Sequence, residues 1–417
     1  MAKNKKTVLK GFTYLQCDDF ADYLSKMAAQ GWHFKEWGAG LVFEKGEPEN
    51  AVYAVEVFIH GSQYDLKPDE HTFNFADYCE EAGWKLIDAR MKFCIFKQMR
   101  PDAVPIVTVE ERLKNATKAY RGQLIWEVAI ALLWIVNMLL RFLPKDQLIN
   151  SLFSNFQLLT CAFWVYYAVC TAIKCIWYIA WVCKAKRRMA AGETRLLNQA
   201  KETLLHWVSN CILVAMLLLQ TAVGGPVSLL ITTAAVMAVV IPAFLFAKLR
   251  PDRETFISFQ VVLPIILVIS IVIVVIGSMP ESDEEKPSIE QFPLSYSDLN
   301  FDAGSVASTY HNSSSSILGS KSYHSIRYKD ASLSYEVYKS EQNWVLDQVW
   351  ENNIWIEGII SGTVTDCSVL WDAETAFSNG RDYIVRYENA ILILRFLKLE
   401  LTEDHVAVIR DALELEG

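Results

Sequence analysis

Leu124-Ile125-Trp126-Glu127-Val128-Ala129-Ile130-Ala131-Leu132-Leu133-Trp134-Ile135-Val136-Asn137-Met138-Leu139-Leu140 carries one charge, Glu127, in its first helical turn. A bilayer core about 30 Å thick needs about 20 mostly apolar residues of helix, and the run reaches that length at Leu143. The same test selects four more stretches: 153–173, with an aromatic continuation to Cys183, then 204–223, 227–247 and 256–276. The reading is therefore a multi-domain membrane protein: an N-terminal α+β domain with two strand-helix-hairpin repeats, five transmembrane α-helices, and a C-terminal α+β domain. Its expected parts are a domain over 1–99, a linker over 100–123, the membrane region over 124–279, a second linker over 280–287 and a domain over 288–417.

Composition supports this segregation. Of 417 residues, 52% are hydrophobic and 21% charged, and the apolar excess is concentrated in the middle rather than spread over several cores. That excludes a soluble enzyme, a disordered chain and a fibrous repeat. Residues 280–417 hold 24 acidic and 10 basic side chains, a net of −14, which leaves +5 for residues 1–279 and sums to the chain's −9. An acidic C-terminal third argues against nucleic acid as a partner, because phosphate binding needs a basic surface. Of the nine cysteines, Cys17, Cys79 and Cys94 precede the apolar middle and Cys367 alone follows it. No C-x-x-C pair occurs, so neither thioredoxin-like chemistry nor a zinc ribbon has support.

Orientation follows from Lys and Arg in short loops, which stay cytoplasmic. Lys184, Lys186, Arg187, Arg188, Arg195 and Lys201 follow the second stretch, and Lys248, Arg250 and Arg253 follow the fourth. The expected placement is a multi-pass protein of the cell membrane, with the N-terminus cytoplasmic and the C-terminus extracytoplasmic. Met1 to Lys10 is basic but precedes no apolar core, so the first span is expected to serve as the insertion signal. Glu127 and Lys174 each fall near a cytoplasmic helix end, where they can snorkel. Asn137 and Gln220 are candidates for helix-helix hydrogen bonds. No intramembrane ionisable pair is evident in the sequence, which disfavours an ion path.

Residues 1–99 repeat themselves. Phe20-Ala21-Asp22-Tyr23 returns as Phe75-Ala76-Asp77-Tyr78, Gly31-Trp32 as Gly83-Trp84, and Leu41-Val42-Phe43-Glu44-Lys45 as Phe93-Cys94-Ile95-Phe96-Lys97. Each copy reads as strand, short helix, hairpin. In copy one Asp18 and Asp19 are N-cap candidates and Gly31 ends the helix. The second copy opens with a strand at about 51–60. Two such units suggest helices on one face of an antiparallel sheet.

Met27-Ala28-Ala29-Gln30-Gly31-Trp32-His33, followed by Phe43-Glu44-Lys45-Gly46-Glu47-Pro48 and Glu80-Glu81-Ala82-Gly83-Trp84, resembles an uncharacterised family of unknown function (family 2812). That family is found at the cytoplasmic N-terminus of membrane proteins of Gram-positive bacteria. The resemblance covers about 8–99. It implies no catalytic residues, and it implies proximity to PadR-like transcriptional regulators, hence a membrane signalling role.

No residue is assigned as catalytic, cofactor-binding or metal-ligating, and no cofactor is expected. His33, His60 and His71 lack the i, i+4 pattern of a metal helix. His33 is read as a partly exposed strand residue, and His60 and His71 as bracketing a solvated loop. Trp32, Trp37 and Trp84 are read as core. The C-terminal domain lacks G-x-S-x-G, S-x-x-K, H-E-x-x-H and H-x-H. Within it His311, His324 and His405 could converge only through the fold, and Cys367 is read as packing. Trp344, Trp350, Trp355 and Trp371 are likewise read as packing. Strands are expected at 323–329, 332–339, 382–388 and 390–397, helices at 341–352, 371–378 and 402–414, and a loop at Ser313–Ser316.

The functional expectation is a non-enzymatic transmembrane sensing, signalling or regulatory protein that couples an extracytoplasmic domain to a cytoplasmic interaction domain. The alternative is an accessory or scaffold subunit of a transporter or envelope complex. The expected partners are the lipid bilayer and a cytoplasmic or membrane protein, with no nucleic acid.

Overall fold

A computed structural model describes residues 4–142, 144–198, 292–354, 363–396 and 401–415, with scattered positions between 208 and 258. The chain forms two compact units, residues 1–135 with 163–278 and residues 136–162 with 279–417.

In the first unit the repeat is visible element by element. Copy one is β1 (Lys5–Val8), α1 (Cys17–Ala29), β2 (Trp32–Trp37) and β3 (Leu41–Lys45). Copy two is β4 (Tyr53–Val57), α2 (Glu70–Glu81), β5 (Trp84–Arg90) and β6 (Phe93–Gln98). Gly31 and Gly83 both have positive φ, 78° and 92°, a conformation open to glycine and costly for other residues. Each hairpin carries a register shift at the same place, Phe34/Glu36 in copy one and Leu86/Asp88 in copy two. In place of one continuous sheet there are two three-stranded antiparallel sheets, ordered β1-β3-β2 and β4-β6-β5. Helix α1 packs on β4 of the other copy as well as on its own β2, so the copies share one core. Phe20 and Phe93 meet across it, each also against Trp37 at 5.2 and 5.3 Å.

Helices α3 (Val109–Phe142) and α5 (Asn155–Ala190) follow. The start of α3 lays Leu113, Ala116, Tyr120 and Leu124 into the domain core, a stripe at spacings of three and four. Beyond it Ile125, Trp126, Leu132, Leu133, Leu139 and Leu140 are all exposed, as lipid-facing side chains would be. The two helices run antiparallel, with Tyr120 stacked on Tyr178 at 5.3 Å and Trp134 on Trp164 at 3.8 Å.

Five membrane helices were expected, and this is corrected: among the described residues two helices are long and apolar enough to cross a membrane. The expected spans at 204–223, 227–247 and 256–276 lie largely outside the described residues. An apolar run of that length marks a candidate span by composition and length alone. Much of the expected linker over 100–123 is instead the first part of α3, continuous with the apolar run.

The second unit has a seven-stranded sheet, which also revises the expected fold. Its strands are β7 (Val306–Ser316), β8 (Gly319–Tyr328), β9 (Ser332–Lys339), β10 (Thr365–Asp366), β11 (Thr375–Ser378), β12 (Asp382–Arg386) and β13 (Ala390–Phe396). All pairings are antiparallel, in the order β10-β11-β12-β13-β9-β8-β7. Among the described residues four helices accompany it: α4 (Lys145–Leu152), α6 (Asn343–Asn353), α7 (Ser368–Trp371) and α8 (Glu403–Ala412). One sheet face carries Leu333, Tyr335, Leu392 and Leu394 in a core closed by Trp371 of α7 and Val406 and Ile409 of α8. The other face packs Tyr338, Ile391 and Ile393 under Val345 and Val349 of α6 and Ile149 and Leu152 of α4.

Two local expectations fail here. Ser313–Ser316 belongs to β7 rather than to a loop, because an edge strand exposed on both sides can be wholly polar. Residues 371–378 are not a helix: Asp372 turns left-handed (φ 46°) after one short helix, and Thr375–Ser378 joins the sheet.

Candidate functional site

The charged groups of the first unit gather where the doubled domain meets the helices. Asp18 sits in the first turn of α1, Glu56 on β4 and Arg112 in the first turn of α3. Their side chains are 6%, 9% and 16% exposed. Arg112 Nη1 lies 2.5 Å from Asp18 Oδ1, its Nε 2.9 Å from Glu56 Oε1, and its Nη2 donates to the Val55 carbonyl at 3.1 Å. The other oxygen of Asp18, Oδ2, accepts the Leu197 N–H at 2.8 Å, while the Asp18 N–H donates to the Leu197 carbonyl at 3.0 Å. Leu196 and Leu197 are buried in the domain core, and Arg195 pairs with Asp22 at 2.7 Å. One carboxylate thus clamps both the start of α3 and the segment that follows α5.

A second guanidinium is held at the repeat seam. Glu36 and Asp88 occupy the matching bulge positions of β2 and β5, and Arg250 reaches both, at 3.8 and 2.8 Å. It also donates to the Leu66 and Ala89 carbonyls at 2.5 and 3.0 Å. The other Asp88 oxygen accepts the Trp37 N–H at 2.6 Å, tying β5 to β2.

Burial dominates the electrostatics. It raises the Glu56 carboxyl to about 7, with Arg112 pulling the other way, and raises Asp88 against the pull of Arg250. Burial likewise pushes the Cys79 thiol up to about 12 and lifts Cys17 and Cys94, so these thiols are protonated at neutral pH and poor nucleophiles. A cleft of about 710 Å³ opens beside the clamp, bordered by Asp22, Ser25, Tyr53, Trp84, Ile106 and Arg195. Among the described residues Asp18, Glu56, Asp22 and Asp88 each have a guanidinium partner, an arrangement suited to holding elements together. Among the described residues no group of three or more His, Cys, Asp or Glu is placed to hold a metal ion.

The residues singled out from sequence are mostly dispersed. His33 is half-buried on β2, its Nε2 2.8 Å from the Glu47 carbonyl. His60 is exposed, and His71 lies in the first turn of α2, not in a loop. Trp84 is buried with its Nε1–H on the Val104 carbonyl at 2.7 Å. In the second unit His311 and His324 do converge, facing each other across β7 and β8 with ring centroids 4.4 Å apart. Tyr335 stacks on His324 at 4.7 Å, and Phe292 covers it at 5.5 Å. Burial, with His311 adding to it, lowers the His324 imidazole to about 4. His405 forms part of the capping box of α8. Cys367 packs against the core, its thiol pushed up to about 11. Trp371 is buried, Trp350 of α6 packs against the sheet near Phe377 and Trp344 is half exposed; Trp355 and Gln220 lie outside the described residues. Asn137 is exposed on α3.

Glu127 and Lys174 change most against expectation. They pair at 2.8 Å between α3 and α5, because the antiparallel register brings two separately placed charges to one level. The clamp as such was not legible, since Asp18 reads as a cap and Arg250 as a loop cation, and Glu56 and Arg112 carry no local signal. One signal was available: Glu36 and Asp88 are 52 residues apart, the repeat offset, and both are acidic.

Residues 16–128, just over a quarter of the chain, match the family described as Protein of unknown function (DUF2812). The chain therefore carries a domain of that uncharacterised family. The match extends past the doubled unit into α3, and so includes Asp18, Glu56 and Arg112. No curated protein and no solved structure matches the chain.

Proposed function

We propose that the protein is a membrane-anchored regulatory protein in which the DUF2812 domain is a cytoplasmic interaction module, coupled through the Asp18–Glu56–Arg112 clamp to helices that cross the membrane. The clamp is the observation that carries this reading. A domain merely tethered by a linker needs no buried ion network to the helix it precedes, and a buried network persists only while all its partners are in place. Two apolar helices supply the membrane association.

Topology follows from the same elements. Lys184, Lys186, Arg187 and Arg188 end α5, on the side expected to be cytoplasmic. The α4 turn between α3 and α5 would then be extracytoplasmic, and it packs on the C-terminal sheet through Ile149, Leu152 and Phe153. The C-terminal unit is accordingly the outward-facing element, and its liganded state would bias the inward domain by favouring one arrangement of the helices.

Hydrogen exchange on the full chain in lipid nanodiscs tests the coupling. A saturating antibody fragment against the C-terminal unit should change exchange at the Asp18 and Leu197 amides. Unchanged exchange at both would favour the alternative, an accessory or scaffold subunit of a transporter or envelope complex.

A further inference from the structure

The sheet face of the second unit that α6 and α4 only half cover leaves a polar groove of about 590 Å³. Cross-strand register puts Tyr310, Ser325, Ser334 and Arg395 in one row, and Tyr310 and Arg395 line the groove. The next row places Asn312, Tyr323 and Glu336 side by side. Tyr310 and Tyr323 stand 5.8 Å apart and make an aromatic wall.

The charges within this groove differ in state. Lys321 is satisfied: it donates to Asn150 Oδ1 at 2.9 Å and lies 3.4 Å from Glu336. Arg395 is exposed and, among the described residues, makes no hydrogen bond or ion pair; the cross-strand Asp382 does not reach it. The groove thus carries one uncompensated positive charge in a region whose acidic residues outnumber its basic ones 24 to 10. Its end wall is Ser154 and Gln157, where α5 begins, so the groove opens where the chain enters its apolar run.

We propose that this groove binds the headgroup of an anionic phospholipid, with Arg395 taking the phosphate and Asn312, Tyr323 and Gln157 the headgroup hydroxyls. The assignment to a lipid rests on the membrane-spanning reading of α5. A guanidinium pairs with phosphate through charge-assisted, often bidentate bonds. Amides and tyrosine hydroxyls donate and accept as a polyol requires. The shared chemistry, a phosphate ester of a polyol, also fits a soluble sugar or glycerol phosphate, and the location at the first turn of α5 favours the lipid.

The test is native mass spectrometry of the detergent-purified full chain with short-chain phosphatidylglycerol, phosphatidylcholine and free glycerol phosphate. Phosphatidylglycerol should bind about tenfold or more tightly than phosphatidylcholine, and Arg395→Gln should remove that preference while leaving the melting temperature unchanged. Asn312→Asp, which adds a negative charge without touching the guanidinium, should weaken binding by a similar factor. Equal binding of the two lipids, or a preference that survives Arg395→Gln, overturns the proposal. Glycerol phosphate binding as tightly as phosphatidylglycerol overturns its assignment to lipid. Because the short-chain lipids are presented in detergent, these outcomes are separable from alkaline carbonate extraction of native membranes. Release of the chain by carbonate would break the membrane reading and leave the groove measurement intact.

Discussion

The two units handle buried polar groups in opposite ways. The DUF2812 unit buries charge: Asp18 and Glu56 lie inside against Arg112 of α3, and Asp88 against Arg250. The C-terminal unit has a continuous apolar sheet core, and its buried titratable groups are a neutral imidazole and tyrosines, His324, Tyr335 and Tyr387. Ion pairs such as Lys339–Glu414 and Arg410–Asp372 sit at its rim. A sheet of seven strands can close its core with apolar side chains alone. Two small three-stranded sheets cannot, and their shared seam is completed by segments that arrive from elsewhere in the chain.

The largest expected effect comes from breaking the clamp. Arg112→Leu leaves two buried carboxylates uncompensated and should cost about 3–5 kcal/mol, read as loss of the fluorescence-detected melting transition of the DUF2812 unit. Replacing Asp18, Glu56 and Arg112 together by Leu should recover most of that stability, because a well-packed apolar triad can match an ionic one. A triple variant as unstable as the single one would show that the charges do more than fill the seam.

Next in size are two pH responses of opposite sign. The Glu56 carboxyl rises from 4.5 to about 7 on folding, so the folded state holds its proton more tightly than the unfolded chain. Its contribution is complete below pH 4.5 and is lost as pH rises through about 7, on the order of 3 kcal/mol. Glu56→Gln should flatten that arm of the stability–pH curve. His324 goes the other way, from 6.5 to about 4: the unfolded chain takes up the proton first, so stability is complete above pH 6.5 and falls as pH drops toward 4. His324→Phe should remove this arm of the stability–pH curve. A C-terminal unit whose stability is flat between pH 6.5 and 4 would contradict the neutral stack.

The smallest effect lies at the rim. Lys339→Ala removes an exposed pair with Glu414 and should change the melting of the C-terminal unit by less than about 1 kcal/mol. A larger loss would blur the contrast between a charged seam and a charged rim.

Much of the local structure was legible. The repeat, the glycine helix ends, the hairpins and the first two apolar helices all follow from patterns within a few residues or from a self-comparison at offset 52. Ser313–Ser316 was not legible, because a strand at a sheet edge has no alternating buried face to announce it. The candidate site was hardly legible either. Asp18 lies 94 residues from Arg112 and 179 from Leu197, and an acidic residue in a first helical turn has a sufficient local explanation in the helix dipole.

The sequence by itself determined where apolar length, helix ends and strand pairs fall, because each is a short-range consequence of side-chain period and backbone freedom. Only the tertiary structure decided which charges meet. It brought Arg112 to Asp18 and Glu56, Arg250 to Glu36 and Asp88, and Lys174 to Glu127, and among the described residues it gives the Arg395 side chain no ion-pair partner. A charge in a sequence carries no record of its distance from any other, and in a low-dielectric seam that distance sets whether it is a cost or a clamp.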